Sequence, residues 1–370
     1  MERKRNYWQI AAGDKYRNYS DLCINLGVIL LGPGYAGPWP KCESKLIEDG
    51  ISPRMLSIIK RFHDGIQSGD IVVLRLGTDQ VHAVGVVDDY GWSDLFSDVD
   101  GWDLQHYRRV NWLWYRIESD GFKSFKTHAL KRGDTVLKLE STVVLEWIAS
   151  LGLEIPSSFD SKVLPKLPHE EKTKPITKEV IGEYLYSKGT SSNSITILLN
   201  VIDDLVMIAK WYERKAEISY EDEDDEPRAK IKGPSEDETR AYLVIPLLRA
   251  LGWSPQKMAI EWNNIDVALF DRLPREDNNL AVVVETKPKG AYCLNAFSQA
   301  SEYAENMDHC NRLIVTDGLR YGVFVKQDHT YNLRAYMNLT SFKKAYPIYD
   351  CAGICEALWM MTPEWTPSSV

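Results

Sequence analysis

The chain reads as an α+β protein of more than one domain: a small twisted β-barrel, a helical middle and a C-terminal α/β unit. Three patterns predict this. Short strand-like runs broken by Gly-Asp and Gly-Pro fill residues 6 to about 140. Apolar residues recur with helical spacing over 176–214. After Gly233 the order becomes helix, strand, strand, helix, strand, strand. The boundaries are accordingly drawn at 1–150, 151–232 and 233–370, and a length of 370 residues suits two or three such units.

In the first region the strands are expected at 7–11, 28–31, 71–76, 81–87, 111–117 and 135–139, with 71–76 and 81–87 as a hairpin and a helix over 53–66. A loop rich in Pro, Lys and Glu over 156–175 ends the pattern. In the middle region Ile195, Leu198, Leu199, Ile202, Leu205, Val206 and Ala209 form one buried helical face, and Ser/Asn residues at 191–194 supply a cap. Such a helix suits packing against its neighbours, or a dimer contact or interdomain lever. The charge of −9 is concentrated: seven carboxylates lie between Glu217 and Glu226, and the rest of the chain carries −2. This run reads as a solvated linker and argues little against a nucleic-acid partner, because binding depends on the local patch.

No apolar run approaches the length of a membrane span, and the first seven residues are charged, unlike a signal peptide. No membrane partner is expected. The six cysteines include no Cys-x-x-Cys pair, which suggests reduced thiols in a cytoplasmic protein without structural zinc.

The third region carries the chemistry. Asp266 lies in the strand-like run 264–270, and nineteen residues later the apolar run 280–284 ends in Glu285-Thr286-Lys287. Two carboxylates at the ends of paired strands hold a hard divalent cation through oxygen, and a lysine beside them orients or activates water. Alone, Asp…Glu-x-Lys is a weak signal. Ser235 opens the preceding helix with Glu238 at its third position, a capping box, and the helix places Glu238 as a cap or a third acid. Gln299 and Tyr303, four apart, share a face of the helix expected over 296–306, turned toward the sheet.

Glu238-Thr239-Arg240, Leu251-Gly252-Trp253, Ile265-Asp266, Glu285-Thr286-Lys287, the run from Gln299 to Tyr303 and Thr316-Asp317-Gly318 stand in one order. This ordered set resembles the nuclease domain of type I restriction-enzyme motor subunits, within the PD-(D/E)xK superfamily, over about 235–345. Ile265 stands where that branch commonly has Pro, and no Walker A lysine motif occurs. The resemblance implies a restriction-endonuclease-like α/β fold. It implies Asp266, Glu285 and the Thr286 carbonyl as ligands of Mg²⁺, with Mn²⁺ as a substitute. It further implies Lys287 as the water-orienting and charge-stabilising group, Glu238 as the helix acid, and Gln299 and Tyr303 as the accessory pair near the scissile strand.

In the first region, the strand start at 7–13, the hairpin from Gly69 to Val87, Tyr90-Gly91-Trp92 and the run 101–112 stand in the order of the EVE and YTH branch of the PUA-like fold. The resemblance covers about 6–140 and implies a β-barrel that binds a modified base. Bases are held between aromatic faces and by hydrogen bonds at their edges. Trp39, Tyr90, Trp92 and Trp102, in or beside loops, are the candidate cage; Ser20 and Asp103 are the candidate edge contacts, and Arg108 and Arg109 the candidate phosphate grips. Trp8, Trp112 and Trp114 lie on strands and are expected in the core, and His106 is expected to be structural. The expected function is a modification-dependent, Mg²⁺-dependent DNA endonuclease acting as a homodimer. The alternatives are a non-catalytic nucleic-acid sensor, or a nuclease whose head binds RNA or a signalling nucleotide.

Overall fold

The computed structural model describes residues 5–13, 17–116, 121–126, 128–156, 159, 162, 164–218, 234–289 and 292–367. The acidic run expected as a linker falls outside them, apart from residues 217 and 218 at the end of a helix. Contacts divide the chain into two units, 1–168 and 169–370, where pattern led to three segments, 1–150, 151–232 and 233–370.

The first unit forms strands where apolar β-rich runs predicted them: β1 (Tyr7–Ala11), β2 (Val28–Leu31), β3 (Ile71–Leu76), β4 (Gln80–Trp92), β5 (His106–Tyr115), β6 (Lys123–Ser124) and β7 (Val136–Lys138). They make one curled, half-barrel sheet in the order β2-β5-β4-β3-β1-β7, with β6 on β4. β3 and β4 pair as the expected hairpin, Val73 opposite Val84. β4 and β5 are longer than expected. A register shift between Val87 and Tyr90 lets pairing continue to Tyr90 opposite Arg108 and Trp92 opposite His106, so these residues lie on strands and not in loops.

The helices of this unit are α1 (Ser20–Leu26), α2 (Glu43–Glu48), α3 (Pro53–Lys60) and α4 (Thr142–Ser150). Ser52 caps α3 through its hydroxyl with Pro53 at the first position, and a π-helical turn from Arg61 to Gly65 completes the helix expected there. Val144 and Ile148 of α4 pack on Ile71, Val73, Val84 and Val86. Trp8 is core, its indole donating to Asp70, and Trp114 packs edge-on against Trp147. Trp112 is half-buried and donates to the Cys23 carbonyl.

The second unit begins with α5 (Lys178–Ser187) and α6 (Ser192–Ile218). By length and composition, 192–212 is apolar enough to cross a membrane, which corrects the expectation that no such run exists. Ile195, Leu198, Ile202, Leu205 and Ala209 are instead buried in this unit's own core, so α5 and α6 belong to it. α7 (Glu236–Thr239), a π-helical turn (Arg240–Val244) and α8 (Ile245–Ala250) then follow without a break. The wider turn precedes Pro246, whose missing N–H would interrupt a regular helix.

Strands β8 (Met258–Trp262), β9 (Ile265–Phe270), β10 (Leu280–Thr286), β11 (Arg312–Thr316), β12 (Arg320–Gln327), β13 (Thr330–Asn338), β14 (Ala345–Tyr346) and β15 (Cys351–Ala352) make one sheet in the order β14-β15-β13-β12-β11-β10-β9-β8. β10 and β11 are parallel and joined through α9 (Phe297–Ala304). Ala296, Ala300 and Ala304 pack with Val283 and Val315 on one face of the sheet. Val282, Val284 and Ile314 face α5, α6, α8 and the final helix α10 (Ile354–Met360) on the other. All of β10 is buried, as a central strand covered on both faces must be.

Candidate metal centre and aromatic pocket

Asp266 owes its place to the turn before it. Asn263 and Asn264 have φ of 50° and 69°, a left-handed pair that Asn tolerates and that closes β8 onto β9 as a tight hairpin. β9 then runs antiparallel to β10, Val267 opposite Val284, which brings Asp266 to the end of β10 that carries Glu285-Thr286-Lys287. Oxygens of Glu236, Asp266 and Glu285 converge there within 4.8 Å of one another.

The third acid is therefore Glu236 and not Glu238. The Glu238 carboxylate turns back to accept from the Ser235 amide at 2.8 Å while the Ser235 hydroxyl accepts from the Glu238 amide. The capping box itself decides this: the acid at its third position closes on the cap, and the one at the first position is left to face the strands. That logic was available in the sequence and points to Glu236.

Glu285 is 1% exposed. Its Oε1 accepts from the Lys287 ammonium at 2.7 Å, and its Oε2 is buried with no hydrogen-bond partner. An unbonded buried carboxylate oxygen costs about 1–3 kcal/mol or more, and such a group is one that an ordered water or an ion satisfies. Burial pushes the Glu285 carboxyl up to about 7, with the Asp266 and Glu236 charges adding and the Lys287 hydrogen bond opposing. Burial likewise raises the Glu236 carboxyl, with Asp266 and Asp237 adding. Burial works against the Lys287 charge, but Glu285, Glu236 and Asp266 outweigh it and raise its pKa.

Lys287 also donates to Gln299 at 2.9 Å, and Gln299 donates to the Tyr303 hydroxyl at 2.9 Å. The Gln-Tyr pair thus joins the lysine. Gln299 is exposed rather than turned to the sheet, because Ala296, Ala300 and Ala304 fill the sheet-facing side of α9. Thr286 reaches Asp266 through its amide and hydroxyl, both at 2.7 Å from Oδ2; these donors fix the Asp266 carboxylate. Arg240, not anticipated as part of the centre, donates to Asp266 Oδ1 at 2.7 Å. Asp317 serves the turn after β11, accepting from the Leu319 and Arg320 amides.

The candidates of the first unit separate differently. A pocket of about 310 Å³ is lined by Tyr19, Leu31, Gly32, Pro33, Met55, Trp102, Asp103, Leu104 and Thr135. Trp102 meets Tyr19 edge-on at 5.8 Å, and the Arg17 guanidinium lies 4.7 Å from its ring centre. Of the expected cage and edge contacts, Trp102 and Asp103 are here. Burial raises the Asp103 carboxyl against three opposing hydrogen bonds, and its Oδ2 accepts from the amides of Gly34 and Tyr35.

Trp39, Tyr90 and Trp92 do not line this pocket; they fasten the neighbouring loop. The Trp92 indole donates to the Gly34 carbonyl at 2.8 Å, and the Trp39 amide donates to the Tyr90 hydroxyl at 3.0 Å. His106 bridges Tyr90 and the Pro33 carbonyl, a structural role as expected. Ser20 is fully buried against Asn18 and His82 and does not line the pocket. Arg108 is buried and donates to the carbonyls of Phe62, His63, Ile66 and Asp88. Its guanidinium terminates the π-helical turn and cannot grip phosphate. Arg109 is committed to the carbonyls of Gly27 and Pro165. Tyr19, next to Ser20, is the pocket aromatic that pattern reading missed; it precedes α1 without a strand or loop signature of its own.

No curated protein and no solved structure matches the chain. A family profile described as a domain of unknown function (DUF8426) matches residues 8–140, the span from β1 to β7.

Proposed function

We propose that the chain is a metal-dependent DNA endonuclease of the PD-(D/E)xK type, directed to its substrate by a PUA-like unit that reads a modified base. The observation that carries the reading is the convergence of Glu236, Asp266 and Glu285 beside Lys287, with Oε2 of Glu285 buried and unbonded. The donor set fits Mg²⁺ or Mn²⁺, since it is all carboxylate oxygen. Glu236, Asp266 and Glu285 would hold the ion, which would polarise a phosphoryl oxygen and acidify a bound water.

The chain's own groups do the rest. Lys287, fixed between Glu285 and Gln299, presents an ammonium to the charge that develops on the phosphate. Tyr303 fixes Gln299, so the lysine is held before substrate arrives. Thr286 aims Asp266. In the first unit, the Trp102 ring, with Tyr19 edge-on beside it, would offer a face to one extruded base, and 310 Å³ suits one small ligand and not a strand. One such cluster per chain, among the described residues, fits a homodimer for cutting both strands. Digestion of DNA carrying different modified bases, beside unmodified DNA of the same sequence, tests the reading: Mg²⁺-dependent cutting of a modified substrate alone is expected, and no cutting of any substrate with Mg²⁺ or Mn²⁺ would refute it.

A further inference from the structure

Asp266 belongs to two groups of carboxylates. With Glu236 and Glu285 it forms the cluster described above. With Asp237 and Glu261 it surrounds the guanidinium of Arg240: Nη1 lies 2.7 Å from Asp266 Oδ1, and Nη2 lies 2.6 Å from Asp237 Oδ1 and 2.8 Å from Glu261 Oε1. The arginine side chain is 10% exposed, whereas those of Asp237 and Glu261 are 82% and 68% exposed. The buried end of this network is therefore the Arg240–Asp266 contact, and the two outer acids hold the guanidinium against it.

Phosphodiester-cleaving sites with two metals set the ions about 3.5–4 Å apart as a clamp on the attacking and leaving oxygens. A carboxylate shared between two acidic groups is the natural bridge for such a pair, and Asp266 has that position. The second acidic group, however, already holds a cation. Arginine stays charged at every working pH and offers its donors in a fixed fork matched to carboxylates. In the first group the Lys287 ammonium meets Oε1 of Glu285 and leaves Oε2 without a partner.

We propose that Arg240 is a built-in cation filling the place of a second metal, so that the centre takes a single divalent ion. The inference rests on the metal-dependent reading above. Arg240 is then a positioning residue: with Thr286 it fixes both oxygens of Asp266 and leaves the remaining coordination to an ion shared with Glu236 and Glu285. A plain anchoring role, tying α7 to β9, would use the same contacts but would not set the number of ions bound.

Counting ions separates the two. Mn²⁺ is titrated into the full-length protein by calorimetry, with bound ion measured independently by electron paramagnetic resonance. The wild type is expected to bind one Mn²⁺ per chain, Arg240→Gln two, and Arg240→Lys, which keeps a cation, one. Two ions in the wild type, or two in Arg240→Lys, would overturn the proposal, and both tests stand if Arg240→Gln does not fold. A folded Arg240→Gln protein that still binds one ion would overturn it as well, leaving Arg240 as an anchor. A wild type that binds no Mn²⁺ would overturn the metal-dependent reading itself, an outcome distinct from binding two.

Discussion

Arg108 on β5 and Asp266 on β9 are both charged residues set among apolar strands, and their partners differ in kind. Arg108 meets four backbone carbonyls and nothing that a ligand would share. Asp103, His106 and Trp92 likewise hold the backbone at Pro33, Gly34 and Tyr35. Around Asp266 the side chains of Glu236, Arg240, Glu285, Lys287 and Gln299 face one another, and one oxygen is left unbonded. Polar groups that close on backbone hold a fold together. Those that close on each other around a buried acceptor gather the charge that a cation or a phosphate can meet.

Breaking the second arrangement is expected to have the largest effect. Lys287→Ala should lower cleavage by about 10²–10³-fold, the cost of removing a preorganised charge-stabilising donor, without loss of DNA binding; single-turnover kinetics beside a binding assay would show it. Wild-type rates in that variant would remove Lys287 from the mechanism.

Breaking the first arrangement should cost stability and spare chemistry. Arg108→Met leaves buried carbonyls without donors and is expected to destabilise the first unit by about 4 kcal/mol, the upper range for a point change. Denaturant unfolding measures this, and Mn²⁺ binding should be unchanged. Loss of DNA affinity with unchanged stability would restore Arg108 as a phosphate contact.

The pocket gives a smaller effect. Trp102→Ala removes a stacking face worth about 1–3 kcal/mol, so affinity for modified DNA should fall about tenfold to a hundredfold while affinity for plain DNA holds. Trp92→Ala should instead loosen the loop at Gly34. Equal loss on both DNAs in Trp102→Ala would mean the pocket does not read a base.

Acidification should move the two units in opposite directions. Burial lowers His82 and His106 to about 4, so their unfolded forms take up protons first, and the stability they contribute is lost as pH falls from about 6.5 toward 4. Glu285, raised to about 7, carries a penalty that grows as pH rises from about 4.5 to 7 and is absent below. Amide exchange resolved by segment at pH 7 and pH 5 should show β4 and β5 weakened and β10 not. Parallel weakening of β10 would contradict the sign assigned to Glu285.

Much of this was legible before the fold. Short apolar runs between Gly-Asp and Gly-Pro breakers placed all six main strands of the first unit, and Asp266 with the Glu285–Lys287 triplet came from spacing on paired strands. What escaped depended on contacts that no periodicity encodes. A register shift carried Tyr90 and Trp92 from loops onto a strand opposite Arg108 and His106, and the ring or guanidinium that looks suited to a ligand met backbone first. The capping box displaced Glu238 in favour of Glu236, two residues away, a distinction of side-chain direction within one helical turn. Arg240 passed as one more charge on a helix because its three carboxylate partners lie 3, 21 and 26 residues distant.

That same helical turn offers the most direct test. Mn²⁺ affinity is measured by calorimetry for the wild type, Glu236→Gln and Glu238→Gln. The expected result is tight binding in the wild type, at least about tenfold weaker binding in Glu236→Gln through loss of one charged oxygen ligand, and no change in Glu238→Gln beyond a small loss of helix stability. Equal affinity in all three proteins, or weakening confined to Glu238→Gln, would contradict the assignment of Glu236, Asp266 and Glu285 as the metal centre.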